Sequence, residues 1–285
     1  VREWELVSSL ERTDRFCEHL ARHAISGVER VLRVYPFGPL ADEAERRRVE
    51  ERCRWEAQVL ARIGQHPWVL DADPPFLDEA GICLPLEAFS GITLASWIDR
   101  HAKTLSGKRG LELRVAVFDR IAQAIEHAHA QGIVHRLLRP ECILLENKAE
   151  APDLRVTGFD LAKQLHSNQT VGLTTVHDER LRWAAPEVAQ GFSNATPLSD
   201  QFALGALLGL LIASKPLFDS TAELLRLGGR VPPLRDLNPA VPQSYDTVVA
   251  RMLSLRPADR FASLAEARAA LARVLEGKES SAEPR

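Results

Sequence analysis

The chain has 285 residues, long enough to bury a substantial core, with the composition of an ordinary globular protein. Its 36 basic and 39 acidic residues leave a formal charge of −3, which provides no whole-molecule field to draw it onto nucleic acid or an anionic membrane. Cys17, Cys53, Cys83 and Cys142 lie far apart with no CxxC pair, so neither a zinc site nor a disulfide framework is indicated and a reducing, cytoplasmic setting is expected.

From Trp4 to about Glu87 the segments are short, and the apolar stretches Val28 to Tyr35 and Ile82 to Leu86 are bounded by Gly, Pro and acidic residues, as strands are. Between them the pattern predicts a helix from about Asp42 to Ile63, with Val49, Cys53, Glu56, Ala57 and Leu60 on one face and an Arg-rich remainder. After Gly91 long helical patterns take over: Phe118, Ile121, Ala122 and Ile125 repeat within Leu111 to Gln131, and Gly132 supplies a stop. Strands are expected at Cys142 to Leu145 and Asp153 to Thr157, paired as a hairpin across the turn Asn147 to Pro152.

From Ser199 onward the chain reads as helices and loops, and the apolar run Phe202 to Ala213 is too short for a bilayer and reads as a helix buried on all sides. The tail from Gly277 to Arg285 is too polar to pack and is expected to be disordered. With Val as the first residue, the chain is expected to be a piece cut from a longer protein. The expectation is an α+β arrangement, one bilobal unit or two domains, with a small strand-rich part over about 1–87, a larger helical part over about 88–276, and a cleft between them.

Several segments carry a more specific signal. The run Ile133-Val134-His135-Arg136-Leu137-Leu138-Arg139-Pro140-Glu141-Cys142-Ile143-Leu144-Leu145 resembles HRDLKPENILL, the catalytic loop of the protein kinase family. In the same order follow Gly158-Phe159-Asp160, similar to the metal-binding DFG segment, and Ala185-Pro186-Glu187, similar to APE. Ser199 to Gly205, with Asp200, resembles the start of the buried large-lobe helix, and Arg256-Pro257-Ala258-Asp259-Arg260 resembles the late RP-x-x-R motif. Upstream, Glu56 to Leu60 with His66-Pro67 resembles the regulatory helix and its turn, and Leu86-Glu87 with Gly91 and Leu94 resembles the hinge.

The resemblance, which runs from roughly Trp4 to Val274, implies a protein kinase-like bilobal fold in a single domain, residues 1–276. It implies a salt bridge between Arg33 and Glu56, stacking of His135 and Phe159 with Leu60, anchoring of the catalytic loop by Asp200, and pairing of Glu187 with Arg260. It also makes Arg136 the family's usual contact for a phosphorylated activation segment, with Thr174 and Thr175 as acceptors.

Phosphoryl transfer needs a Gly-rich loop over the phosphates, a Lys on the third strand, two metal-holding side chains and an Asp base. Leu137 stands at the base position, where it can neither accept a proton nor bond a hydroxyl. Cys142 replaces the metal-binding Asn with a soft thiol, and Gly158 replaces the metal-binding Asp, leaving Asp160 as the candidate for a relocated ligand, though its backbone position is expected to point it elsewhere. Arg33 stands for the Lys, and Val31 narrows the adenine side. Ser8 to Leu20 contains no Gly; Glu11, Asp14 and Glu18 would repel phosphate, with Arg12 and Arg15 as partial offsets. Glu179-Arg180 replaces the Gly-Thr before APE.

The expected function is therefore that of a pseudokinase, a scaffold or allosteric regulator acting on a protein partner or on other domains of its parent chain. No catalytic residue, metal or cofactor is expected. The alternative is an atypical ATP-dependent phosphotransferase or nucleotidyltransferase with Arg33, Glu56, Arg139 and Asp160 reassigned, or an ATP sensor without turnover.

Overall fold

The structure, a computed structural model, describes residues 3–13, 15–38, 41–79, 81–165, 181–239 and 241–277. The small lobe is built on five antiparallel strands, β1 (Trp4–Arg12), β2 (Cys17–His23), β3 (Glu29–Pro36), β4 (Phe76–Asp78) and β5 (Gly81–Glu87), in the order β1-β2-β3-β5-β4. Side chains alternate across β3, so Leu32 and Val34 join Ala21 and Cys83 in a small cluster on one face while Arg33 and Tyr35 point to the other.

Helix α1 (Glu43–Ile63) begins where expected, because Asp42 accepts a hydrogen bond from the Glu45 amide and Glu43 and Glu45 complement the helix dipole. Val49, Cys53, Glu56 and Leu60 are buried as read, but Ala57 is half-buried and Trp55 and Val59 are buried as well. The apolar stripe is wider because α1 meets two surfaces, the sheet and a turn of the large lobe at Phe159–Leu161. Trp55 Nε1 donates to the Ala162 carbonyl at 3.2 Å across that second contact.

The large lobe starts with β6 (Ile92–Thr93) and α2 (Leu94–Arg100), a pair the sequence reading does not separate from the hinge. Helix α3 (Gly107–Ala130) starts ahead of the expected Leu111. Its first turn contains Gly107 and Gly110, poor helix formers that hide the start; a Cβ at Gly110 would lie 2.0 Å from the Leu105 carbonyl carbon, so close packing demands glycine there. Next come β7 (Ile133–Val134), β8 (Ile143–Leu145), β9 (Leu154–Val156) and β10 (Lys163–Gln164). β8 and β9 pair antiparallel as the expected hairpin, with Ile143 opposite Val156, and β6 adds to their edge.

The helices after the activation segment are α4 (Pro186–Gln190), α5 (Pro197–Ala213), α6 (Thr221–Arg226), α7 (Leu234–Leu237), α8 (Ser244–Met252) and α9 (Leu264–Leu275). α5 is buried without interruption from Ser199 to Ala213, as the apolar run Phe202 to Ala213 implies for most of it, and packs on α3 and α8. Among the described residues no helix is long and apolar enough to cross a membrane. One hydrophobic core runs through both lobes, from Phe16 and Tyr35 through Phe159 to Val249. Residues 278–285, the greater part of the expected disordered tail, lie outside the described residues.

Candidate functional site

The cleft-facing side of β3 carries Arg33 and Tyr35 to Glu56 of α1, where Arg33 Nη1 donates to one carboxylate oxygen and the Tyr35 hydroxyl to the other. Glu56 is 1 % exposed, so it is no solvated charge. Arg33 Nη2 also meets Glu18 of β2 at 2.6 Å, and its Nε donates to the same oxygen at 2.8 Å. Burial opposes the Arg33 charge, yet Glu56 and Glu18 hold its pKa well above the usual arginine value. Burial also pushes the Glu56 carboxyl up, against the pull of Arg33, and pushes the Tyr35 phenol well up with the Glu56 charge adding to it.

The turn between β1 and β2 occupies the place of the family's Gly-rich loop. Thr13 closes it: its hydroxyl accepts from the amides of Arg15 and Phe16 at 3.1 Å each, and its amide donates to the Phe16 carbonyl at 2.9 Å. Phe16, 7 % exposed, folds inward so that its ring lies 4.2 Å from the Arg33 guanidinium carbon and 5.8 Å from the Tyr35 ring. Arg15 Nη1 lies 2.7 Å from Asp160 Oδ2.

Three expectations change here. Asp160 does not point elsewhere; it turns into the cleft, because the backbone after Gly158 enters a short turn that packs on α1. Arg15 is engaged by Asp160, so it is no spare positive charge, and Glu18 is engaged by Arg33. Asp14 lies outside the described residues.

The catalytic-loop segment is held from below by Asp200 of α5. Its carboxylate accepts from the amides of His135 and Arg136 and lies within bonding distance of His129 Nε2, each at 2.8 Å. The His135 ring lies 4.7 Å from that of Phe159, and its Nε2 bonds the Thr157 carbonyl at 2.9 Å. Leu60 is buried in the same core, and Leu137, at the base position, is 2 % exposed.

Cys142 is buried under the loop, its Sγ 3.8 Å from the Leu137 carbonyl. Burial pushes this thiol up, but His135 and then Arg139 bring it below the usual thiol value; burial pulls His135 down, and Cys142 and Asp200 raise it above its ordinary value. Gly158 has φ +85°, and a Cβ built there would lie 2.7 Å from Cys142 Sγ. Arg139 sits at the rim beside Glu141 at 3.4 Å.

Arg136 has φ +73° and is buried, and among the described residues none of its three guanidinium nitrogens has a hydrogen-bond partner. Burial lowers its pKa to about 10, with Asp200 opposing the shift. Lys163 is near enough to Arg136 for their charges to repel and donates to the Ser193 and Ala195 carbonyls at 2.5 and 2.9 Å. Thr174, Thr175 and Glu179-Arg180 lie outside the described residues. Glu187 and Arg260 pair as expected through two contacts at 2.8 and 3.0 Å.

Phe16, Tyr35 and Trp55 are the site residues that the motif reading misses. Tyr35 was within reach, since it stands two residues after Arg33 and shares its strand face. Phe16 gives no such signal, because a turn has no periodicity. Among the described residues no three His, Cys, Asp or Glu side chains gather so as to hold a metal.

The sequence matches the protein kinase domain model over residues 40–271. It is similar to a probable serine/threonine-protein kinase PknB of Lactococcus lactis subsp. lactis (strain IL1403), 28% identical over 219 residues, covering 75% of this chain and 33% of that protein. It is also similar to serine/threonine-protein kinase PrkC of Bacillus subtilis (strain 168), 28% identical over 253 residues, covering 85% of this chain and 36% of the relative. Serine/threonine-protein kinase Pkn1 of Myxococcus xanthus is 31% identical over 240 residues, covering 78% and 31%. The match thus spans about a third of the length of these relatives. With the motifs in order, the bilobal fold around them and the family model matched over most of its length, the chain belongs to the protein kinase domain family.

Proposed function

We propose that this domain is a kinase-fold binding module that transfers no phosphate and acts through its surfaces on a protein partner or on neighbouring domains of its parent chain. The observation that carries this reading is the contact between the two positions where the family holds its metal ions. Gly158 is left-handed and abuts the Cys142 thiol at 2.7 Å from where a Cβ would be, so no carboxylate fits at 158 while Sγ stays in place. The donor set does not fit magnesium with ATP: a buried thiol, no side chain at 158, an Asp160 taken by Arg15, and an apolar Leu137 where a base would stand. The hinge adds to this, because the Phe89 amide donates to the Glu87 carbonyl at 3.0 Å and is not free for a flat ligand.

Two measurements test the reading. A melt with ATP and magnesium or manganese in large excess gives no stabilisation, whereas binding at about 100 times Kd adds about 2.7 kcal/mol. Incubation with ATP labelled at the alpha or gamma phosphate leaves no label on this chain or on a general protein substrate. Label that disappears in Arg33→Ala would overturn the proposal and favour the second reading, an atypical phosphotransferase or nucleotidyltransferase. That reading has one observation in its favour, the intact contact between Arg33 and Glu56. Stabilisation by nucleotide with no product would mark an ATP sensor.

A further inference from the structure

We propose that the turn between β1 and β2 is a built-in occupant of the cleft. Phe16 covers the Arg33 guanidinium, Arg15 clasps Asp160 of the other lobe, and together they keep nucleotide out with side chains of the chain itself. The inference rests on the reading that the cleft runs no phosphoryl transfer, and it adds what fills the space.

Arg33 is the cation that would meet a phosphate, and it is spent on every side. Nη1 serves Glu56, Nε and Nη2 serve Glu18, and the Phe16 ring lies against the guanidinium at 4.2 Å. An entering phosphate would have to displace the ring and compete with two carboxylates. The surrounding charge also disfavours it, because Arg15 and Arg33 face three carboxylates, Glu18, Glu56 and Asp160.

The clasp joins the two lobes across the cleft. Arg15 Nη1 and Asp160 Oδ2 are 2.7 Å apart, and both side chains are largely buried. Thr13 holds Arg15 and Phe16 in place through their amides. β1 pairs with β2 and is bulged at Val7 and at Leu10, and β2 pairs in turn with β3, so the sheet holds the turn over the cleft. The absence of glycine from Ser8 to Leu20 fits a turn shaped to pack rather than to wrap phosphate.

The test compares the wild-type domain with Arg15→Ser/Phe16→Ala/Asp160→Asn, which removes the ring and both charges without stranding a buried ion. The probes are ATP and ADP with divalent metal chelated, read by calorimetry and by melting. The wild type takes neither nucleotide; the triple variant gains at least about tenfold in affinity. The charge-swapped Arg15→Glu/Asp160→Arg pair, which rebuilds the clasp, excludes nucleotide again. Equal exclusion by the triple variant, or equal binding by the wild type, overturns the proposal.

A measurement on the unaltered protein guards against a variant that does not fold. The amides of Arg15 and Phe16, which Thr13 holds outside the ladder, exchange with solvent as slowly as those of β2, and exchange as fast as in a free loop refutes the plug. Label transfer by the triple variant would sink the non-transferring reading and leave the plug standing, so the two failures are distinguishable.

Discussion

Gly158 and Cys142 show how two substitutions that look independent in sequence form one packing unit. The left-handed backbone at 158 disfavours side chains other than Asp and Asn, and the sulfur of Cys142 fills the space that any Cβ would need. Gly158→Ala is expected to cost about 2–4 kcal/mol from backbone strain plus overpacking. Adding Cys142→Ala should return about 1 kcal/mol of that, so the pair is non-additive in chemical denaturation; strict additivity would show that the collision is absent. The departures from the family pattern at Leu137, Cys142 and Gly158 were legible residue by residue, because each stands inside a motif with a fixed slot. The cavity-filling relation between them was not, since Cys142 and Gly158 meet only through the β8 and β9 hairpin.

Helix α1 and the APE segment show what helical pattern and motif order can predict and what they leave out. The α1 bounds and most of its buried face follow from Asp42, the acidic first turn and the apolar spacing. Trp55 does not, because its partner at Ala162 belongs to another lobe and no period within the helix encodes it. At the other end of the molecule, α4 is tied down by Glu187 meeting Arg260, whose side chain is fully buried.

Burial pushes the Glu187 carboxyl up, but Arg260, through its hydrogen bonds and charge, brings it below the usual carboxylate range. A folded-state pKa that is depressed contributes stability above the ordinary carboxylate value and loses it as pH falls through the folded one. Glu187→Gln is therefore expected to be less stable by about 2–4 kcal/mol at neutral pH, and to lose less further stability on acidification. Parallel stability curves against pH for the two proteins would contradict this.

At the scale of the whole molecule, the lobes are joined by more than a hinge. Val156 of β9 donates to the Trp68 carbonyl at 2.8 Å and accepts from the Leu70 amide at 3.0 Å. Arg155 grips Glu87 through a forked pair at 2.8 and 3.0 Å, and His127 Nε2 bonds the Ile63 carbonyl at 2.9 Å. Since one core also runs through both lobes, thermal unfolding is expected as a single transition with calorimetric and van't Hoff enthalpies equal. Two separated heat-absorption peaks would show that the lobes melt independently. The bilobal α+β arrangement was legible from the change of texture at Gly91 and from motif order, whereas these ties lie between distant segments and leave no local mark.

The contact between Gly158 and Cys142 also sets the order in which this sequence could change. A chain that regains a carboxylate at 158 first meets the sulfur and loses stability before it gains any affinity for a cation. One that alters Cys142 first opens a void under the loop and gains nothing until 158 follows. Either single step lowers stability, so a carboxylate is expected to be accommodated at 158 only when both positions change together.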